Sequence, residues 1–239
     1  VNLVMNLTAQ DLTCFESADG SVAVDQNGLS PYTFDFTDAF GNPVASASDP
    51  ANFTFSGLDI GIYFVEVTDV NGCVTTDAVE LFQPDLLATD STVTPVSCYL
   101  GVDGAIAITQ TTGGTTPYAA IVWDDPNAQV GSAATDLGAG TYTATIADDN
   151  GCKLIETFTL VQPPQMILES WYLTDTCGQG IGAATVEVSL GTLPYTFLWK
   201  PDSIDQATHY NLGVGSYEVV VTDANGCKDS VVSEVMDDL

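Results

Sequence analysis

The sequence predicts an all-β protein of three tandem immunoglobulin-like β-sandwich domains forming an elongated rod. Three observations carry that expectation. One motif is written three times, as Leu58-Asp-Ile-Gly-Ile-Tyr63 running on to Asp69-Val-Asn-Gly-Cys73, as Leu137-Gly-Ala-Gly-Thr-Tyr142 to Asp148-Asp-Asn-Gly-Cys152, and as Leu212-Gly-Val-Gly-Ser-Tyr217 to Asp223-Ala-Asn-Gly-Cys227. The period between the last cysteines is 152 − 73 = 79 and then 227 − 152 = 75 residues, the size of a small domain and not of one 239-residue core. Each copy also reads as short strands between Gly, Pro, Asn and Asp turns, with no helical period. The expected domains are residues 1–84, 85–163 and 164–239.

The elements follow in order within each copy. Alternation in Val22-Ala-Val24, Ile106-Ala-Ile108 and Val186-Glu-Val188 marks one half-buried antiparallel strand, and Tyr63-Phe-Val65-Glu-Val67 and Tyr217-Glu-Val219-Val-Val221 mark a later one. Between them a proline-tyrosine step, Pro31-Tyr32, Pro117-Tyr118 and Pro194-Tyr195, opens an aromatic strand ending at Phe36, Trp123 and Trp199. A bulky inner residue mid-domain is the core plan of an immunoglobulin-like sandwich. In the second copy Trp123 lies six residues after its proline instead of five, which predicts a β-bulge. The boundaries at Gln83-Pro84 and Gln162-Pro163-Pro164 are short and proline-bearing, hence the expected rod. Nothing at Val1 looks like a signal peptide, so the piece is expected to begin inside a longer protein, and the run ending at Leu239 resembles the run after the last cysteine of each earlier repeat, so more modules are expected to follow.

Domains of this size have thin cores and call for a staple. Each repeat holds two cysteines, and one pair per unit selects Cys14 with Cys73, Cys98 with Cys152 and Cys177 with Cys227 from the fifteen possible connectivities. Disulfides in turn place the chain in an oxidising, extracellular or periplasmic compartment. Zinc fits badly, because there is no Cys-x-x-Cys pair and His209 is the only histidine.

The charge balance narrows the partners. Against 32 acidic residues stand only Lys153, Lys200 and Lys228, for a net charge of −29. Nothing here can neutralise phosphates, so nucleic acid and anionic membrane surfaces are disfavoured. A hydrophobic content of 45% argues for packed domains over disorder.

Each motif has a structural and a sharper reading. Leu-x-x-Gly-x-Tyr reads as a tyrosine corner, with the hydroxyls of Tyr63, Tyr142 and Tyr217 tied back to nearby backbone. Asp-x-Asn-Gly-Cys reads as a hairpin turn, in which Asn and Gly tolerate positive φ. The alternative makes Asp69, Asn71, Asp148, Asn150, Asp223 and Asn225 calcium ligands; the second acidic contribution, Asp19 or Asp103, is missing from the third copy. Otherwise no cofactor is expected. No catalytic constellation is present: carboxylates are the only candidates, and Asp124-Asp125 and Asp148-Asp149 read as solvated turn residues. His209 reads as a surface or packing residue. Trp171-Tyr172 either packs across a domain junction or offers a sugar-stacking platform.

With cysteine, Pro-Tyr, tryptophan, Leu-x-x-Gly-x-Tyr and Asp-x-Asn-Gly-Cys in that order, each repeat resembles the SprB-type repeat of large surface adhesins from gliding Bacteroidetes. The first copy departs in having Phe36 for the tryptophan and an insert around Phe40 to Phe53. The resemblance implies export by a type IX secretion system, a cell-surface location, and a place in a long array that grips substrata. Asp90-Ser91-Thr92, Asp202-Ser203-Ile204 and Asp229-Ser230-Val231 are similar to the O-glycosylation signal of such bacteria. The expected function is a non-catalytic stalk segment in cell attachment and gliding. The expected partners are further copies of the repeat, surface polysaccharide or another cell-surface protein. The alternatives are a calcium- or carbohydrate-binding module and an accessory region of a secreted hydrolase.

Overall fold

The structure is a computed structural model and describes residues 3–48 and 52–238. Residues 49–51, inside the insert between Phe40 and Phe53, lie outside the described residues, as do the outermost residues of the first and third repeats. Every named element is a β-strand. The first repeat supplies β1 (Met5–Gln10), β2 (Gly20–Gln26), β3 (Thr33–Asp38), β4 (Pro43–Ser48), β5 (Asn52–Leu58), β6 (Gly61–Thr68) and β7 (Val74–Leu81). The second supplies β8 (Ala88–Thr94), β9 (Gly104–Thr112), β10 (Val122–Trp123), β11 (Ala133–Leu137), β12 (Gly140–Ala147) and β13 (Lys153–Leu160). The third supplies β14 (Ile167–Leu173), β15 (Gly182–Ser189), β16 (Thr196–Lys200), β17 (Thr208–Leu212), β18 (Gly215–Thr222) and β19 (Lys228–Val235).

Strand order gives the immunoglobulin-like plan. The first repeat forms the sheets β1-β2-β5 and β4-β3-β6-β7, the second β11-β9-β8 and β10-β12-β13, the third β14-β15-β17 and β16-β18-β19. In each, the chain opens with two neighbouring strands of one sheet, crosses to the other and returns before its last two strands, as in Greek-key sandwiches. The insert of the first repeat provides the extra edge strand β4, paired antiparallel with β3. Residues 118–121, before Trp123, are irregular, and β10 is confined to Val122–Trp123.

The chain divides into two compact units, one of Val1–Asp90, Ile108–Val122 and Thr145–Ile155, the other of Ser91–Ala107, Trp123–Ala144 and Glu156–Leu239. The first core is filled from both sheets: Val22, Val24 and Phe55 meet Phe34, Phe36, Val65 and Val67. Phe36 stacks on Phe55 with ring centroids 4.1 Å apart and on Tyr63 at 5.1 Å. On β6 the period of two is plain, with Tyr63, Val65 and Val67 buried and Ile62, Phe64 and Glu66 exposed. In the third repeat Trp199 takes the place of Phe36, is fully buried, and its Nε1 donates to the Gln206 carbonyl at 2.8 Å. Trp123 does the same with Gly131 at 2.9 Å.

Pairing register shows which end of a sandwich each loop occupies. Gly20 faces Leu58 and Gly61 faces Leu81, so the β1–β2 loop, the β5–β6 turn and the exit from β7 share one end. The Leu12 amide donates to the Phe82 carbonyl there at 3.0 Å. Thr68 faces Val74, so the β6–β7 turn lies at the other end, a strand of eight residues away. At about 3.3 Å per residue that is roughly 26 Å.

Candidate functional site at the repeat junctions

The Asp-x-Asn-Gly-Cys turn is built around its aspartate. In each copy the Asp amide donates to the Cys carbonyl and the Gly amide to the Asp carbonyl, closing a type I turn followed by a left-handed glycine. Gly72, Gly151 and Gly226 take φ of 78°, 81° and 85°, and the asparagines do not enter that region. Asp69, Asp148 and Asp223 are all buried. Asp148 Oδ1 accepts the Cys152 amide at 2.8 Å and its Oδ2 the Thr115 amide at 2.9 Å. Asp223 repeats this with Cys227 at 2.9 Å and Thr192 at 3.1 Å, and adds the Asn225 amide at 2.9 Å. Asp69 Oδ1 holds the Asn71 and Cys73 amides, each at 2.9 Å. Gly114, at φ 58°, lets the neighbouring loop approach Asp148: a Cβ there would stand 2.8 Å from Oδ2.

A second loop presents the early cysteine. Between β1 and β2, Asp19 accepts the Thr13 amide at 3.0 Å together with the hydroxyls of Thr13 and Ser17. Those hydroxyls, Ser17 first and Thr13 next, hold the Asp19 carboxyl down to about 2. Asp103 does the same for Ser97, accepting its amide at 3.0 Å, and is likewise lowered by Ser97. The boundary glutamines brace these loops: Gln83 Oε1 accepts the Glu16 amide at 2.9 Å and Gln162 Oε1 the Leu100 amide at 2.7 Å. In the third repeat the acidic partner comes from before the cysteine, where buried Asp175 accepts the Ile181 amide at 3.1 Å.

Turn and loop meet between consecutive repeats. Cys14 is bonded to Cys152 and Cys98 to Cys227. Asn150 Nδ2 donates to the Thr13 carbonyl at 2.8 Å and to Thr115 Oγ1 at 3.1 Å. Asn225 Nδ2 donates to the Ser97 carbonyl and to Thr192 Oγ1, both at 3.2 Å. The same three parts thus recur: a disulfide, an asparagine across the junction, and a threonine steering that asparagine. This corrects the expected pairing of Cys14 with Cys73, Cys98 with Cys152 and Cys177 with Cys227. Loop and turn cysteines lie at opposite ends of a sandwich, whereas a disulfide needs Cα atoms within about 7 Å. Cys73 and Cys177 are reduced and exposed.

The remaining predicted residues fall as follows. The tyrosine hydroxyls each donate to the carbonyl four residues back: Tyr63 to Asp59 at 2.9 Å, Tyr142 to Gly138 at 3.1 Å, Tyr217 to Gly213 at 3.0 Å. The Pro-Tyr tyrosines make a second such tie, unforeseen in the sequence, from Tyr32 to Gly28, Tyr118 to Gly113 and Tyr195 to Leu190. Asp125 and Asp148 are buried turn formers and not the solvated residues expected; Asp125 accepts the amides of Asn127 and Gln129 at 2.9 and 2.8 Å. Asp148 and Asp223, proposed for calcium, turn both carboxylate oxygens to backbone N–H groups and Asp69 turns Oδ1, and among the described residues no three of His, Cys, Asp or Glu gather as a metal-holding group. His209 is buried between Trp199 and Tyr217, with ring centroids 5.8 and 6.1 Å away. Trp171 and Tyr172 both stay exposed on β14 instead of packing.

The SprB repeat family model matches residues 91–126, from β8 to just past Trp123. No curated protein matches the chain. Among solved structures, the three N-terminal domains of the bacteriophage RB49 highly immunogenic outer capsid protein (Hoc) align over 99% of this chain and 100% of theirs, at 13% identity and a TM-score of 0.44. The C-terminal 282-residue fragment of intimin, solved with the intimin-binding domain of the translocated intimin receptor, aligns over 71% of this chain and 67% of its own, at 13% identity and 0.38. The N-terminal eight Ig domains of Down syndrome cell adhesion molecule align over 91% of this chain, which spans 34% of that one, at 11% identity and 0.37.

Proposed function

We propose that this chain is a non-catalytic stalk segment of a large secreted cell-surface adhesin or filament, serving attachment and gliding after export by a type IX secretion system. The observation that supports this most is that both disulfides join one repeat to the next. A disulfide inside a domain protects that domain; one between neighbours ties the series together, so that pulling force bypasses the short Gln83-Pro84 and Gln162-Pro163 connections. The match of residues 91–126 to a repeat family and the oxidising compartment that the disulfides require fit the same reading. Partners at the substratum are surface polysaccharide or another cell-surface protein.

Attachment of the parent cell under flow, measured for deletions of each single repeat, tests the proposal. A stalk loses adhesion modestly and about equally in the three strains. Loss of attachment on deletion of one repeat alone would overturn the stalk and place the ligand site in that repeat.

A further inference from the structure

Cys73 and Cys177 occupy the turn and loop positions of a junction that the chain already forms twice, with Leu29 standing where Thr115 and Thr192 steer the asparagine in the other two. Cys73 sits exposed in a turn whose aspartate, Asp69, is buried and holds the Asn71 and Cys73 amides just as Asp223 holds those of Asn225 and Cys227. The docking half is therefore shaped before anything docks, with Asn71 exposed beside the thiol. Cys177 is exposed in the corresponding β14–β15 loop, where Thr176 precedes it as Thr13 precedes Cys14 and Ser97 precedes Cys98, and where Cys177 itself takes a φ of 52° that the other two do not. The Thr176 carbonyl accepts the Gln179 amide, and a carbonyl oxygen has a second lone pair for an incoming asparagine.

We propose that Cys177 of one copy of this chain forms a disulfide with Cys73 of a second copy, linking chains head to tail. Asn71 Nδ2 of the second copy donates to the Thr176 carbonyl of the first, as Asn150 donates to Thr13. A second copy is the occupant because it carries both the loop and the turn, each of which is seated on its counterpart elsewhere in the chain. Two thiols lose two protons and two electrons to a disulfide oxidant such as oxidised glutathione, which departs as two glutathione thiols. The inference rests on junction chemistry alone; in a longer array an adjoining repeat would offer the same turn to Cys177 or the same loop to Cys73.

The test mixes two single variants, C73S and C177S, in a glutathione redox buffer. Thiol titration first establishes one free thiol and two intact disulfides in each. The mixture is expected to give a covalent heterodimer whose non-reducing peptide map shows Cys73 joined to Cys177, while either variant alone stays monomeric. Adding N71A to the C177S partner should slow linkage about fivefold, the worth of one hydrogen bond. Homodimers forming as readily as heterodimers, a wild-type chain that closes Cys73 on its own Cys177, or no linkage at all would overturn the proposal.

Discussion

Cys14 and Cys152 are separated by 138 positions in the chain, yet their Cα atoms lie 5.7 Å apart in a disulfide that joins the first repeat to the second. Cys98 and Cys227 repeat the relationship over 129 positions at 5.5 Å. Neither sandwich end is stapled to its own partner sheet. The first and third repeats are held by aromatic cores, around Phe36 and around Trp199, and the covalent bonds secure what lies between repeats.

Reduction should therefore act on junctions before cores. Dithiothreitol is expected to leave the far-UV β signature in place and to open cleavage by a broad-specificity protease within residues 83–86 and 162–165. Mass spectrometry of the early fragments reads this directly. Global loss of β structure at the same reductant concentration would show that the bonds hold the sandwiches themselves.

Replacing Trp199 by alanine empties the centre of the third core and strands the Gln206 carbonyl. The cost should be about 3–5 kcal/mol, seen as a lower denaturant midpoint. Trp171→Ala, on an exposed ring, should cost less than about 1 kcal/mol. Equal effects would mean that Trp171 has a packing partner.

Asp148→Ala removes two charge-assisted bonds at once, to Cys152 and Thr115, and leaves their amides facing a buried gap. About 3 kcal/mol should be lost. Asp148→Asn keeps one acceptor oxygen and should lose about half as much. Equilibrium unfolding of the oxidised chains gives both values.

How much of this could be read in advance follows from what each residue type reports. Period-two alternation announced β6 and β18, and a glycine-spaced tyrosine announced the corner at Tyr63, because both are local. The buried state of Asp125 and Asp148 was hidden: side-chain oxygens that cap their own turn look, in sequence, like solvated acid. Cysteine pairing does not follow from a count of two per repeat, which says nothing about which end each occupies. The signal was present in the ten residues from Tyr63 to Cys73, which carry the chain from one end of a strand to the far side of the sandwich. The role of Gln83 and Gln162 left no such trace, since a boundary glutamine reads as linker.

Acid should loosen the cysteine loop. Asp19 is held at about 2 by the Ser17 and Thr13 hydroxyls, below the ordinary carboxylate range, so the unfolded chain takes up the proton first as pH falls. The stabilisation is complete above pH about 4 and is lost as pH falls through about 2. Amide exchange at Thr13 should rise across that window, and Asp19→Asn should flatten the rise. A Thr13 amide indifferent to pH between 4 and 2 would remove Asp19 as its anchor.

Deleting Asp85 to Pro163 tests the junction rule most sharply, because it removes one whole period together with Cys98 and Cys152. The new connection, Gln83-Pro84 followed by Pro164-Gln165-Met166, reproduces the order Gln-Pro-Pro-Gln-Met of the natural second junction. Thr13 and Cys14 of the first repeat then face Asn225 and Cys227 of the third, with Thr192 available to steer the asparagine. All parts of a junction are present, though no such pair exists in the intact chain. The shortened protein is expected to form a Cys14–Cys227 disulfide and to keep Cys73 and Cys177 as thiols, as non-reducing peptide mapping would report. If Cys14 pairs with Cys73, or remains free beside an intact third repeat, the junctions at Cys152 and Cys227 depend on something particular to the second repeat, and the shared turn-and-loop chemistry is insufficient to direct the bond.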